Sequence, residues 1–143
     1  MVCADTSFLI SLYGNDENSV AAGTHRAASD APLVVHPIID FEYANAVRAL
    51  VFRHRIEPEQ CDRWLAYYDA EKAQGFLISA VLDQNAVFAA AAKISATHTS
   101  AAGNRAYDIL HIAAAKVLGA TEFWSFDAKQ RELARAEGLV VGP

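Results

Sequence analysis

The sequence predicts an α/β chain: a three-layer sandwich with a central parallel sheet of four to five strands flanked by helices. Two observations carry this. Short apolar runs, Val2-Cys3-Ala4, Leu33-Val34-Val35-His36, Phe76-Leu77-Ile78-Ser79, Thr121 to Phe126 and Leu139-Val140-Val141, alternate with longer helical segments, and strands joined by helical crossovers run parallel. The stretch Tyr107 to Leu118 is apolar on nearly every side, as a helix buried against a sheet must be. In such sheets ligands collect outside the C-terminal strand ends.

Each element has its local reason. Val2-Cys3-Ala4 ends on Asp5, after which Thr6-Ser7 can cap a helix running to Tyr13-Gly14. Asn15 to Asn18 is a polar turn, and Val20 to Ser29 is Ala-rich and helical. Pro37 sits at a helix N1 position, and Phe41, Ala44, Val47 and Val51 mark one apolar face of the helix that ends near Arg53-His54-Arg55. Pro58-Glu59 opens a helix that stops at Gly75, with Trp64, Leu65 and Tyr68 as its stripe. Asp83 caps a helix to about Ile94, and Ser95 to Asn104 reads as a loop. Gly119 closes the buried helix, and Asp127 follows the aromatic strand as cap for Ala128 to Ala136.

A length of 143 residues with 53% hydrophobic and 20% charged residues describes one globular domain, residues 1–143. No apolar run reaches the roughly 18 to 20 residues of a membrane span, and Met1 leads into Val2-Cys3-Ala4-Asp5 without a charged leader, so a cytoplasmic protein is expected. Cys3 and Cys61 lack metal or disulfide spacing and are expected to be free thiols. The net charge of −5 argues against a protein that coats nucleic acid non-specifically. It leaves nucleic acid open as a substrate, because acids gathered around divalent cations would account for much of the negative balance.

Four acids stand out by position. Asp5 and Asp127 each end a strand, and Asp108 lies in the first turn of the buried helix, where free N–H groups and the helix dipole favour a carboxylate. Glu42 lies beside the apolar face of its helix, with Asn45 one turn on as a possible hydrogen-bonding support. Asp40 points elsewhere on that helix and reads as a cap or a rival for the same role. Arg105, one turn before Asp108, is a candidate to steer a phosphate, as is Arg53-His54-Arg55. His111, one turn after Asp108, reads as a hydrogen-bonded core histidine. Clustered carboxylates need a counter-charge, and hard oxygen ligands suit Mg²⁺ or Mn²⁺.

The acids and their contexts, Ala-Asp-Thr-Ser-Phe-Leu, Asp-Phe-Glu-Tyr-Ala-Asn-Ala-Val, Tyr-Asp-Ile-Leu-His-Ile-Ala-Ala-Ala and Trp-Ser-Phe-Asp-Ala-Lys-Gln, resemble the PIN-domain ribonucleases over essentially the whole chain, and among them the VapC-like toxins of type II toxin–antitoxin pairs. The resemblance implies a PIN-like fold and a Mg²⁺- or Mn²⁺-dependent endoribonuclease. Asp5, Glu42, Asp108 and Asp127 are its catalytic metal ligands, Ser7 and Ser125 its supporting hydroxyls. It further implies an RNA substrate, an antitoxin protein as partner and a homodimer, with no membrane association. A patch of Phe8, Leu12, Trp64 and Tyr68 is the expected contact for antitoxin or second copy. Two rivals remain: a PIN fold that binds RNA or acts as a scaffold without cleavage, and a phosphatase of the haloacid-dehalogenase kind. The latter needs a second Asp two residues after Asp5, where this chain has Ser7. A response-regulator receiver would need an acid after a central strand, and Phe76 to Ser79 ends without one.

Overall fold

The structure is a computed structural model that describes residues 1–143. Its order is β1 (Val2–Ala4), α1 (Thr6–Tyr13), α2 (Ser19–Ala27), β2 (Leu33–Val35), α3 (Pro37–Phe52), α4 (Pro58–Gln74), β3 (Leu77–Ser79), α5 (Gln84–Ala102), α6 (Ala106–Val117), β4 (Glu122–Trp124), α7 (Ala128–Ala136) and β5 (Val140–Gly142). The five strands form one sheet in the order β3-β2-β1-β4-β5. Every pair is parallel, with Cys3 beside Val34 and Phe123, and Val34 beside Ile78.

The three-residue strands suffice because alternate side chains feed two separate cores. Val2, Ala4, Leu33, Val35, Leu77 and Trp124 pack with Phe8, Leu9, Ala22, Ile39, Tyr43, Val47 and Tyr68 from α1 to α4. Cys3, Val34 and Phe123 face the other way, onto Val87, Ala91 and Ile94 of α5, Ile109 and Ile112 to Ala115 of α6 and Leu133-Ala134 of α7. Right-handed crossovers explain the division. The chain steps outward from β1 to β3 with its helices on one face, then reverses direction to β4 and β5 and lays the later helices on the opposite face. The reversal places a topological switch point between β1 and β4, where the crossovers diverge and a crevice forms.

Several boundaries differ from the sequence reading. The N-cap of α1 is Asp5, whose side chain accepts from Phe8 N, rather than Thr6 or Ser7. Helix α5 continues through Ser95 to Ala102, so the expected loop shrinks to Gly103-Asn104-Arg105. Alanine and small polar residues there are compatible with helix, and the real stop is Gly103, left-handed at φ 63, whose N–H closes on Thr99 O at 2.8 Å. The α5–α6 pair thus becomes a tight helical hairpin. Helix α6 ends at Val117 with Leu118 as its C-cap, one residue before Gly119.

The expected contact patch of Phe8, Leu12, Trp64 and Tyr68 is not a surface. Phe8 and Tyr68 are buried, and Leu12 and Trp64 pack against the same core, because α1 and α4 lie against each other over one sheet face. The exposed large apolar side chains are instead Phe41, Phe76, Ile78, Val81, Phe88 and Tyr107 among others, near the free β3 edge and its flanking helices. No helix is long and apolar enough to cross a membrane. Cys3 and Cys61 are free and buried.

Candidate active site at the C-terminal edge of the sheet

Asp5 leaves β1 at the switch point and is only 6% exposed. Its Oδ1 accepts from Phe8 N at 3.0 Å and from the Ser7 hydroxyl at 2.6 Å, while Oδ2 accepts from the Ser125 hydroxyl at 2.6 Å. Burial pushes its pKa up, against the pull of these bonds and of nearby His111; a carboxylate so placed gains from any added positive charge. Ser125 is fully buried and also accepts from Asp127 N at 3.0 Å. One hydroxyl therefore ties the acid after β1 to the acid after β4. Ser7 does likewise from the other side, accepting from Phe126 N at 2.9 Å. Asp127 caps α7 by accepting from Gln130 N on Oδ1 at 3.0 Å, which leaves Oδ2 for the site.

Asp108 opens α6, its side chain 12% exposed, and takes the Arg105 guanidinium in a fork: Nε donates to Oδ2 at 2.9 Å and Nη2 to Oδ1 at 3.1 Å. The same Nη2 reaches Asp127 Oδ2 at 3.5 Å. The Arg105 pKa is raised by the Asp108 bonds and charge first, with smaller contributions from Asp127 and Glu42, so three of the four acids act on one cation. Buried Gln130 donates to the Asp108 carbonyl at 3.1 Å and locks α7 to α6.

Glu42 is held from two sides. Its Oε2 accepts from the Thr6 hydroxyl and lies 2.5 Å from His111 Nε2. Burial opposes its charge, but the His111 bond and charge, the Thr6 bond and the Arg105 charge outweigh it and hold Glu42 below the usual carboxylate range. His111 is the hydrogen-bonded buried histidine its sequence position suggested, 2% exposed, and the partner it holds is an acid on the neighbouring helix. The spacing of Asp108 and His111, three apart on one helix face, was the available signal. Thr6 and Gln130 carried no comparable signal.

Asn45 is exposed, and the Glu42 carboxylate bonds Thr6 and His111 instead, because it turns inward toward α1 and α6. Asp40 is a structural residue: it accepts from Tyr68 Oη at 2.7 Å and from Lys72 Nζ at 2.9 Å, and His36 rather than Asp40 caps α3. Arg53-His54-Arg55 lies eleven or more residues beyond Glu42, about 16 Å along the helix at 1.5 Å per residue, at the far end of α3 from the acids.

His36 is buried beside His111, their rings 6.2 Å apart, and burial together with the His111 charge lowers its pKa to about 4. A folded pKa below the unfolded value means the unfolded chain binds the proton more readily. Stability is unaffected above about pH 6.5 and falls as pH drops toward 4, by on the order of 3 kcal/mol for the shift between about 6.5 and about 4. Urea melts at pH 7 and pH 4.5 should show this loss in the wild type and a clearly smaller one in His36→Asn, which keeps an N-cap acceptor but cannot titrate. Equal losses in both would refute the assignment.

The donor set is that of a hard divalent cation, all carboxylate oxygen, and Asp108 with Asp127 already gathers one cationic group between the start of α6 and the end of β4. As the side chains stand, no three His, Cys, Asp or Glu side chains close on a single point, since each acid is held by its own hydrogen-bonding partners.

No curated protein matches the chain. Among solved structures it is similar to the Mycobacterium tuberculosis toxin VapC20, described as cleaving the sarcin-ricin loop, at 16% identity and a TM-score of 0.73 with all of both chains covered. It is also similar to Neisseria gonorrhoeae FitAcB, at 15% identity and a TM-score of 0.67 over 100% of this chain and 97% of that one. At such identities these likenesses establish the fold. The PIN domain family matches residues 2–136, a stretch that contains all four acids and nearly the whole chain, and the chain accordingly belongs to the PIN domain family.

Proposed function

We propose that the protein is a metal-dependent endoribonuclease, the toxin of a type II toxin–antitoxin pair, cleaving RNA at Asp5, Glu42, Asp108 and Asp127. The observation that carries this is the hydrogen-bonded linkage of the four acids across the β1/β4 switch point of a PIN domain: Ser125 joins Asp5 to Asp127, Arg105 joins Asp127 to Asp108, and His111 joins the Asp108 helix to Glu42. The VapC20 neighbour, a sarcin-ricin loop cleaving toxin by its description, supports the same reading.

The four carboxylates would hold Mg²⁺ or Mn²⁺, which when bound supplies an activated water and a counter-charge for the attacking and leaving oxygens. The chain's own part is positional. Ser7, Ser125 and Phe8 N fix both oxygens of Asp5; His111 and Thr6 fix Glu42; exposed Arg105 is the cation nearest a phosphate entering at the acids. Incubating the protein with total cellular RNA should give cleavage with Mg²⁺ or Mn²⁺ and none after chelation with EDTA. Tight RNA binding without cleavage under both ions would favour the non-catalytic alternative.

The reading includes a homodimer and an antitoxin partner. A groove of about 500 Å³ is lined by Ile38, Phe41, Val81, Val87, Phe88 and Tyr107 with their neighbours; Phe41 and Tyr107 are the chain neighbours of Glu42 and Asp108, and the exposed rings form the kind of contiguous apolar surface that marks an interface. A second copy is the favoured occupant, because the groove adjoins the free β3 edge, where an unpaired strand is otherwise a liability. Phe88, 62% exposed, tests this: light scattering should give a dimer for the wild type and a monomer for Phe88→Asp. A wild-type monomer at tens of micromolar would sink the dimer and leave the groove to the antitoxin.

A further inference from the structure

Arg105 occupies an unusual place for a residue expected only to steer substrate. Its backbone is fixed as the N-cap of α6, its N–H donating to Asp108 Oδ2 at 3.3 Å. Its side chain is 72% exposed, yet the guanidinium turns back over the acids, with Nε and Nη2 spanning both oxygens of Asp108 and Nη2 extending to Asp127. The oxygens it engages are those that a divalent ion would need. A guanidinium and a divalent ion compete for them, since two cations held a few ångströms apart over the same carboxylates repel each other. Being largely exposed, the side chain can swing away by rotation alone, without opening the core.

We propose that Arg105 is a built-in latch: in the resting protein its guanidinium takes the cation position between Asp108 and Asp127, and when a divalent ion displaces it, it turns outward to grip a phosphate of the RNA. The planar fork suits both tasks, since carboxylate and phosphate oxygens accept the same paired N–H groups. The site thereby remains neutralised and closed until ion and substrate arrive. This inference rests on the reading of the acids as metal ligands.

The test is Mn²⁺ titration by calorimetry of the full chain without RNA, for wild type, Arg105→Gln and Arg105→Lys, with thermal melts confirming that each is folded. Arg105→Gln should bind Mn²⁺ about tenfold tighter or more, the loss of one charge-assisted pair corresponding to at least that factor. Arg105→Lys, which keeps the charge but cannot span the two acids, should follow Gln more closely than wild type. Unchanged or weaker binding by Arg105→Gln overturns the latch. Wild-type affinity in Arg105→Lys beside a gain in Arg105→Gln overturns the bridge in favour of plain charge repulsion. Absence of Mn²⁺ binding in all three sinks the metal reading itself and the latch with it. At saturating Mn²⁺, Arg105→Gln should cleave RNA about tenfold more slowly with the loss in KM, and undiminished cleavage overturns the transfer to phosphate.

Discussion

Asp5→Asn should reduce RNA cleavage more than about 100-fold, beyond the 10- to 100-fold range of groups that merely orient a metal ligand, with the melting temperature nearly unchanged. The physical reason lies in how Asp5 is held. Its carboxylate is buried, and burial is the chief cost of its charge, so a neutral amide of the same shape removes that cost. What the amide loses is one acceptor facing a hydroxyl. Ser125 can turn its proton toward the Asp127 carbonyl, 3.4 Å away, and accept from the new N–H instead. The fold keeps its hydrogen bonds while the site loses a negative ligand. Cleavage assays under Mg²⁺ and Mn²⁺ beside circular-dichroism melts decide the matter. A large fall in melting temperature matching the fall in activity would make Asp5 a structural cap only.

His111→Leu is expected to lower cleavage 10- to 100-fold, the usual effect of losing the partner that orients a metal-binding group, and His111→Gln to recover part of it by restoring an N–H donor. Glu42 then keeps only Thr6 as a partner, and its pKa should rise toward the ordinary carboxylate value, since the His111 bond and charge are the largest influences holding it down. NMR titration of the Glu42 carboxyl in wild type and His111→Leu would show that rise, which a purely structural role for His111 would not produce. Because His111 Nδ1 is buried without a partner, removal of the ring also removes an unsatisfied polar atom, and Leu should cost little in stability. An unshifted Glu42 with full cleavage would return His111 to the core.

The alternation of apolar runs and helices determined the α/β class and the parallel sheet, because strand and helix periods are local properties of the chain and crossover length dictates strand direction. The placement of Asp5, Asp108 and Asp127 at element ends was likewise legible, since capping chemistry is decided within three or four residues. Even the family could be read from those contexts. What the sequence left open depended on contacts distant along the chain. Ser125 meeting Asp5 spans 120 residues, and His111 meeting Glu42 spans 69; no periodicity encodes either. The exposed face was misread for the same reason: Phe8 and Tyr68 look like spare apolar residues until α1 and α4 are seen to share a core, while Phe41 and Tyr107, which look equally apolar in sequence, stand outside it. The strand order decided the site, because only the reversal between β1 and β4 brings the two strand-ending acids Asp5 and Asp127 together and sets the start of α6 beside them, with Arg105 lying across Asp108 and Asp127.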